Sequence, residues 1–165
     1  MTVDLLRILR DAGWRVSQTP APLPAAIHSR YPWLPAEVLS FLEGAREAIN
    51  PSETAWLVTA DATEPRIGFE WNAWELMSIQ AAGSDTKWAE EIREFWNSHF
   101  PFANSVKDGY AYFAIKNVTG FPVVYGREPE FEEPEVVFSS FHEWQQGVVT
   151  TLSGEHSHFQ IASAL

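Results

Sequence analysis

The clearest hydrophobic pattern in the chain is a pair of short apolar runs separated by a turn. The runs are residues 110–115 and 123–125, and residues 116–120 form the turn. In the first run both alternating sets of side chains are largely apolar, which is typical of a strand covered on both faces in the middle of a sheet. Asp108-Gly109, directly before it, is a strong hairpin signal. The sequence therefore predicts that these two strands form the centre of a sheet.

Five other segments are predicted to be helices, and in those at residues 3–12, 35–49 and 86–98 apolar residues recur at the 3.6-residue period of an amphipathic helix. The predicted helices cover residues 3–12, 35–49, 72–82 and 86–98, and a last one begins at Ser140. Asn72 with Glu75, and Ser140 with Glu143, have the spacing of a capping box, in which two side chains satisfy free N–H groups at a helix start. These pairs predict where two of the helices begin.

The segments between the helices predict further strands and one extended connector. Short strands are expected at residues 55–59, 67–71 and 136–138. Five prolines between residues 19 and 35 favour an extended connector over a helix. Tyr31 and Trp33 are expected to hold this connector against the core. Residues 153–165 have no clear period, and this tail is predicted to be partly mobile.

Helices before, between and after short strands are typical of the α+β class. We expect a single domain over residues 1–165, with a mostly antiparallel central sheet flanked by helices. A chain of 165 residues is within the usual size range for one domain. Two domains joined by the proline-rich segment are disfavoured, because the one helix before that segment is too short to bury its own apolar face.

The net charge of −11 limits the kinds of macromolecule that this chain is expected to bind directly. Nucleic acids and anionic membranes are bound through a basic footprint, so we expect this chain to bind neither directly. A basic protein has the compatible sign. The alternative interpretation is that the negative charge only keeps the protein soluble.

The absence of cysteine excludes disulfides and thiolate metal sites, and it is compatible with a reducing compartment. The first residues have an acid before any base and no long apolar run, unlike a signal peptide. No window approaches the roughly 18 apolar residues that a membrane span needs. We therefore expect a cytoplasmic protein.

Residues 127–135, here called the acidic arm, are the strongest candidate for contact with a partner. Pro129 and Pro134 stiffen the arm, which lowers the entropy cost of ordering it on binding. Phe131 in its middle is either an anchor to the core or an exposed contact residue. We predict that the arm binds a partner, and a solvated loop with Phe131 in the core is the alternative. The predicted contact residues are Glu128, Glu130, Phe131, Glu132, Glu133 and Glu135.

Two segments bear a partial likeness to metal sites. Residues 142–146 begin like a zinc-protease helix, but the last of them is glutamine where the second histidine is required. His156 and His158 beside Glu155 are a legitimate zinc set by residue type. A mobile tail would hold these ligands in poor orientation. We therefore expect no metal and no cofactor.

Residues for other kinds of catalysis are equally sparse. The sequence has no Gly-x-Ser-x-Gly elbow, no phosphate-binding glycine loop and no thiol nucleophile. Asp61, Glu64 and Glu70 are the one carboxylate cluster that would suit hydrolysis, and solvated loop side chains are the simpler interpretation. His28 and His99 are expected to be surface or capping residues. We expect no enzymatic activity.

The order of these segments resembles the SUKH superfamily, which includes bacterial immunity proteins of polymorphic toxin systems and a yeast regulator of cell-wall synthesis. The resemblance spans residues 34–147. It departs from the family pattern in a long middle region with an additional helix at 86–98, and in a glycine-rich turn reduced to Asp108-Gly109. The segments that carry the resemblance are residues 34–42, 71–77, 108–115, 124–126 and 138–144.

This resemblance implies a SUKH-like domain that binds a protein and has no enzymatic activity. It implies an immunity protein that neutralises a polymorphic or contact-dependent bacterial toxin, and the charge favours a basic toxin domain as partner. A regulatory scaffold of the same fold that binds an endogenous protein is an alternative. A small hydrolase that uses Asp61, Glu64 or the tail histidines is a second alternative.

Overall fold

The structure, a computed structural model, describes residues 4–63 and 68–165. Within these residues the strands are β1 Arg15–Val16, β2 Ala48–Ile49, β3 Ala55–Leu57, β4 His99–Ser105, β5 Ala111–Lys116, β6 Val123–Arg127 and β7 Glu135–Phe138. The helices are α1 Leu5–Asp11, α2 Ala25–Arg30, α3 Ala36–Leu42, α4 Ala73–Ala82, α5 Thr86–Asn97, α6 Phe141–Ser153 and α7 Phe159–Ala164. A short 3-10 helix covers Ala60–Thr63.

The seven strands form one sheet in the order of the chain, β1 to β7, and every neighbouring pair is antiparallel. This confirms the prediction of an α+β fold with a mostly antiparallel sheet flanked by helices. The predicted central hairpin is also present, because β5 pairs with β6 on one side and with β4 on the other. Among the helices of the described residues, none has the length and apolar content to cross a bilayer.

The two faces of the sheet are both covered by helices, as the alternating pattern of β5 predicts. Phe113 and Ile115 point to one side, here called the first face, where α1, α3 and α6 supply buried aliphatic and aromatic residues. Tyr112 and Ala114 point to the second face, which α4 and α5 cover with Trp74 and other buried residues. Burial on both sides leaves the ends and edges of the sheet as the places where function can lie.

Strand β4 is an element that the sequence pattern does not reveal. All seven of its residues are buried, and it pairs with β3 and β5. Pro101 lies inside it, and proline in an apolar run argues against a central strand because it lacks the N–H that the ladder needs. The register shifts between Pro101 and Ala103, so the proline is accommodated at an irregularity of the ladder.

Two predictions about the first third of the chain are wrong in part. The proline-rich segment contains helix α2, which fits between Pro24 at its N-cap and Pro32 beyond its end. Proline is tolerated at the start of a helix, because the first N–H groups have no partner within it. The expected contacts of the connector are present, since Tyr31 is buried and Trp33 packs against the core.

The helix predicted over residues 35–49 ends at Leu42, and Ala48–Ile49 forms strand β2 instead. Gly44 marks the break, where a Cβ atom would lie 2.8 Å from the Leu6 side chain of α1. The buried residues Ala45 and Ile49 fit a helical period by spacing alone. Ile49 instead pairs with Arg15 of β1, so this segment forms a strand.

The tail predicted to be mobile contains helix α7, whose Ile161 and Ala164 are buried. The Ser105 hydroxyl donates a 2.6 Å hydrogen bond to the Ala164 carbonyl, so β4 holds the end of the chain. The sequence predicts a strand over residues 67–71, but no strand is present at residues 68–71. Phe69 forms a single β-bridge there, and Ile67 lies outside the described residues.

The capping box predicted at Ser140 is present with one change. The Ser140 hydroxyl accepts a hydrogen bond from the Glu143 N–H, and the Glu143 carboxylate accepts one from the N–H of Ser139, one residue earlier than predicted. Asn72 makes no side-chain cap, and the Glu75 carboxylate is engaged elsewhere. Both Glu75 oxygens accept hydrogen bonds from the Arg30 guanidinium, at 2.7 and 2.8 Å.

The Arg30–Glu75 pair fastens the proline-rich connector to α4. The Glu75 side chain is only 6% exposed and that of Arg30 is 23% exposed, so the pair is largely removed from water. The Arg30 guanidinium also donates to the Asn97 side chain at 3.0 Å, which adds the end of α5 to the same contact. Three elements distant in sequence are therefore joined by one side chain.

We expect Glu75→Ala to lower the free energy of unfolding by about 3 kcal/mol, because it leaves a poorly solvated guanidinium without its partner. The matched control is Glu91→Ala, which breaks the exposed i,i+4 contact with Lys87 and should cost less than about 0.5 kcal/mol. Urea unfolding of the three proteins measures both values. Equal losses in the two variants would contradict a special role for the buried pair.

Candidate functional site

The acidic arm connects β6 to β7 and begins with a pair of hydrogen bonds to the start of β5. The Glu128 N–H donates to the Tyr110 carbonyl at 2.9 Å. The Tyr110 N–H donates to the Glu128 carboxylate at 3.0 Å. The peptide bond between Glu128 and Pro129 is cis. The arm therefore leaves the sheet from a defined position.

Phe131 anchors the middle of the arm to the core. Its side chain is 6% exposed, and its ring stacks on Trp74 with 5.5 Å between the centroids. Its carbonyl accepts a hydrogen bond from the hydroxyl of Tyr112, which reaches across from β5. Of the two alternatives from the sequence, the structure has the core anchor, and the Phe131 side chain is not on the contact surface.

Glu132 is also turned inward and tied to a helix. Its carboxylate accepts a 2.7 Å hydrogen bond from the indole N–H of Trp96 on α5. Burial, and then the nearby negative charge of Glu132, raise the pKa of the Tyr112 hydroxyl, which therefore stays protonated as a donor. Glu132 is a tether of the arm as well as one of its charges.

Gly126 makes the position of Tyr112 possible. It pairs with Tyr112 across β5 and β6, and a Cβ atom at position 126 would overlap the Tyr112 ring. The ring therefore lies over the bare backbone of β6, from where its hydroxyl reaches the Phe131 carbonyl. Any side chain at 126 would displace the donor that holds the arm.

The remaining carboxylates of the arm surround a depression of about 440 Å³ at its outer side. We call it the acidic pocket. All four glutamates are exposed. The residues that line it are Tyr125, Gly126, Arg127, Glu128, Pro129, Glu130, Glu133 and Glu135. The structure thus brings four of the six predicted contact residues together and directs Phe131 and Glu132 inward.

Tyr125 and Arg127 are pocket residues that the sequence does not single out. Tyr125 is 8% exposed and belongs to the first face, where its ring contacts Phe113. Burial raises the pKa of Tyr125, while the nearby charge of Arg127 acts in the opposite direction. The sequence pattern indicates only that Tyr125 belongs to a strand. Its position beside the arm follows from the tertiary structure.

The residues considered for hydrolysis do not assemble into a site within the described chain. Asp61 forms an ion pair with Arg46 at 3.0 Å, Glu70 is exposed, and Glu64 lies outside the described residues. His28 forms a 2.8 Å contact with Glu43 at the surface. Asp61 and His28 each serve a local ion-pair contact.

The histidines of the tail lie together but gather no third ligand from the part of the chain that the structure describes. The rings of His156 and His158 are 4.8 Å apart, and His158 also contacts Phe138. Among the residues that the structure describes, no group of three or more His, Asp or Glu side chains is arranged to hold a metal ion.

His99 caps a helix, which is one of the two roles expected for it, but it is buried rather than at the surface. It is 7% exposed, its ring stacks on Phe95, and its Nδ1 atom lies 2.8 Å from the Phe95 carbonyl at the end of α5. Burial, with a smaller contribution from Lys116, lowers the pKa of His99 below 6.5. Folding therefore favours the neutral form of this histidine relative to the unfolded chain.

Comparisons of the chain with protein-family models, with curated proteins and with solved structures find no significant match.

Because the unfolded chain binds the His99 proton more tightly, we expect stability to fall as the pH drops from about 6.5 through the lower folded pKa. His99→Asn, which retains a donor toward the Phe95 carbonyl, should reduce that fall. His142→Asn at an exposed position is the control. Urea unfolding at pH 7.5 and 5.5 measures the difference, and an unchanged fall in His99→Asn would contradict the assignment.

Phe131→Ala is expected to cost about 3–5 kcal/mol of stability, because it leaves a cavity beside Trp74. It should also speed hydrogen exchange at the Glu128 amide, since the arm loses its anchor. Phe159→Ala is the matched control, because this phenylalanine is 70% exposed. If both variants lost similar stability and the Glu128 amide stayed protected, the anchoring role would be wrong.

Proposed function

We propose that this protein is a non-enzymatic binding module that acts in the cytoplasm as an immunity protein, covering a basic bacterial toxin domain with its acidic pocket. The observation that supports this most directly is the pocket itself. Four exposed carboxylates are presented on a backbone that buried contacts hold in place. A surface of this kind is suited to recognition of positive charge.

The rigidity of the arm favours binding over simple solvation. Its middle is held by the Phe131 ring and by hydrogen bonds from Tyr112 and Trp96. A loop that is ordered before it meets a partner loses less conformational entropy on binding. The interior contacts therefore make the exposed glutamates better binding groups than they would be on a mobile loop.

Charge supports the same proposal at longer range. The whole chain carries −11, so a basic partner is attracted before contact, and the pocket concentrates negative charge at one place. Association steered in this way is fast and weakens as salt is added. A toxin domain that acts on nucleic acid is itself basic, which makes it a suitable partner.

A regulatory scaffold that binds an endogenous basic protein would use the same surface. The resemblance of residues 34–147 to the SUKH superfamily is compatible with both functions. The neighbouring gene separates them, because an immunity protein is encoded beside its toxin. Protection of growing cells against that toxin is the decisive property.

The test uses the C-terminal domain of the protein encoded beside this chain, expressed in bacteria with and without it. Protection of growth by the wild-type chain is the expected result. Glu130→Lys with Glu133→Lys should weaken binding to the purified domain about tenfold at low salt and flatten its salt dependence. Calorimetry at two salt concentrations measures both effects.

The control is Glu90→Lys with Glu94→Lys on the exposed side of α5, which changes the net charge by the same amount. It should leave most of the affinity intact, because neither side chain lines the acidic pocket. Equal losses in the two double variants would show that only net charge matters. No binding and no protection by the wild type would contradict the proposal as a whole.

A further inference from the structure

The side chain of Tyr125 is largely buried, and the described part of the chain supplies no hydrogen bond for its hydroxyl. The residue is only 8% exposed, yet it lines the acidic pocket. Buried tyrosines normally find a partner for the hydroxyl, as Tyr112 does with the Phe131 carbonyl. The Tyr125 hydroxyl is instead accessible at the acidic pocket, where it is an unused donor and acceptor.

The charges around this hydroxyl are mainly negative. Glu135 lies directly opposite Tyr125 across β6 and β7, so both side chains are on the first face, and Asp108 acts on Tyr125 as well. One Glu135 oxygen accepts a 3.2 Å hydrogen bond from Gln160, which leaves its other oxygen for a ligand. Among the described residues, Arg127 is the one cation that lines the pocket.

A ligand for this pocket has to bring both hydrogen-bond donors and positive charge. An anion would meet four glutamates, and a neutral donor would leave their charge uncompensated. A volume of about 440 Å³ is sufficient for one long side chain with some water.

We propose that the acidic pocket receives an arginine side chain of the protein partner, with its guanidinium bound by the Tyr125 hydroxyl and the Glu135 carboxylate. A guanidinium presents five N–H donors in one plane, so it can reach a hydroxyl and a carboxylate at once. A lysine ammonium is more strongly hydrated and has no planar arrangement of donors. The partner is therefore a basic protein with an exposed arginine, which rests on the proposed function above.

Arg127 sets how strongly the pocket attracts this cation. It lines the same pocket and lies two residues from Tyr125 on the same strand, so its charge opposes an entering guanidinium. Its removal should strengthen binding of a cation by about threefold, whereas its removal from a surface that binds anions would weaken binding. The direction of the affinity change on removal of Arg127 therefore distinguishes a pocket that binds cations from one that binds anions.

The first experiment titrates the full chain with N-acetyl-arginine methylamide and follows the pocket residues by NMR. We expect the Gly126 amide and the Tyr125 ring to shift with a dissociation constant on the order of millimolar. The neutral citrulline analogue should cause no saturable shift, and the lysine analogue should bind at least threefold more weakly. Equal shifts by the three compounds, or none with arginine, would overturn the proposal.

Variants then test the individual contacts in the same titration. Tyr125→Phe keeps the ring in the core and should weaken arginine binding about tenfold. Tyr110→Phe is the matched control and should leave binding unchanged, since Tyr110 packs on Trp74 at the second face. Arg127→Gln, a surface change that spares the fold, should tighten binding, and weaker binding by it would overturn the proposal.

The partner protein separates this inference from the proposed function. If Glu130→Lys with Glu133→Lys weakens partner binding while Tyr125→Phe and Glu135→Gln do not, the module binds a basic partner without an arginine in this pocket. The pocket proposal is then overturned and the proposed function stands. If the arginine analogue binds as expected but the neighbouring toxin domain does not, the pocket stands and the immunity function fails.

Discussion

The close approach of the Tyr112 ring to the backbone of Gly126 is the constraint on which the binding surface depends. It lets one aromatic side chain of the central strand pass over its neighbour and hold the Phe131 carbonyl. Because the Phe131 carbonyl is held in this way, the Phe131 ring stacks on Trp74 and the backbone of the arm has a defined conformation. This buried contact acts together with the hydrogen bonds of Glu128 to Tyr110 and of Glu132 to Trp96 to give the exposed glutamates defined positions.

The sheet explains why function is expected at this end of the molecule. Helices cover both of its faces, so side chains of the central strands are committed to packing. At the edge, β7 is short, follows Pro134 and has an irregular register with β6. These features discourage pairing with another strand, which protects an acidic edge from self-association. The connection between β6 and β7 remains as a place where polar groups can be presented.

Much of the scaffold follows from local patterns, and the failures have specific causes. The two-sided apolar run of β5 predicts its central place, and the amphipathic period of α5 predicts a helix that the structure contains. Strand β4 escapes prediction because Pro101 contradicts a central strand when only local rules are applied. Residues Ala45 and Ile49 fit a helix by spacing, although the chain between them turns.

The sequence by itself determined the α+β class, the central hairpin and the concentration of carboxylates after β6. These are properties of composition and period, which need no knowledge of distant contacts. Only the tertiary structure decided which way each arm residue faces, and it turned Phe131 and Glu132 inward while placing Tyr125 and Arg127 beside the outward glutamates. The physical reason is that Tyr112, Trp74 and Trp96 come from three elements that meet the arm only after folding.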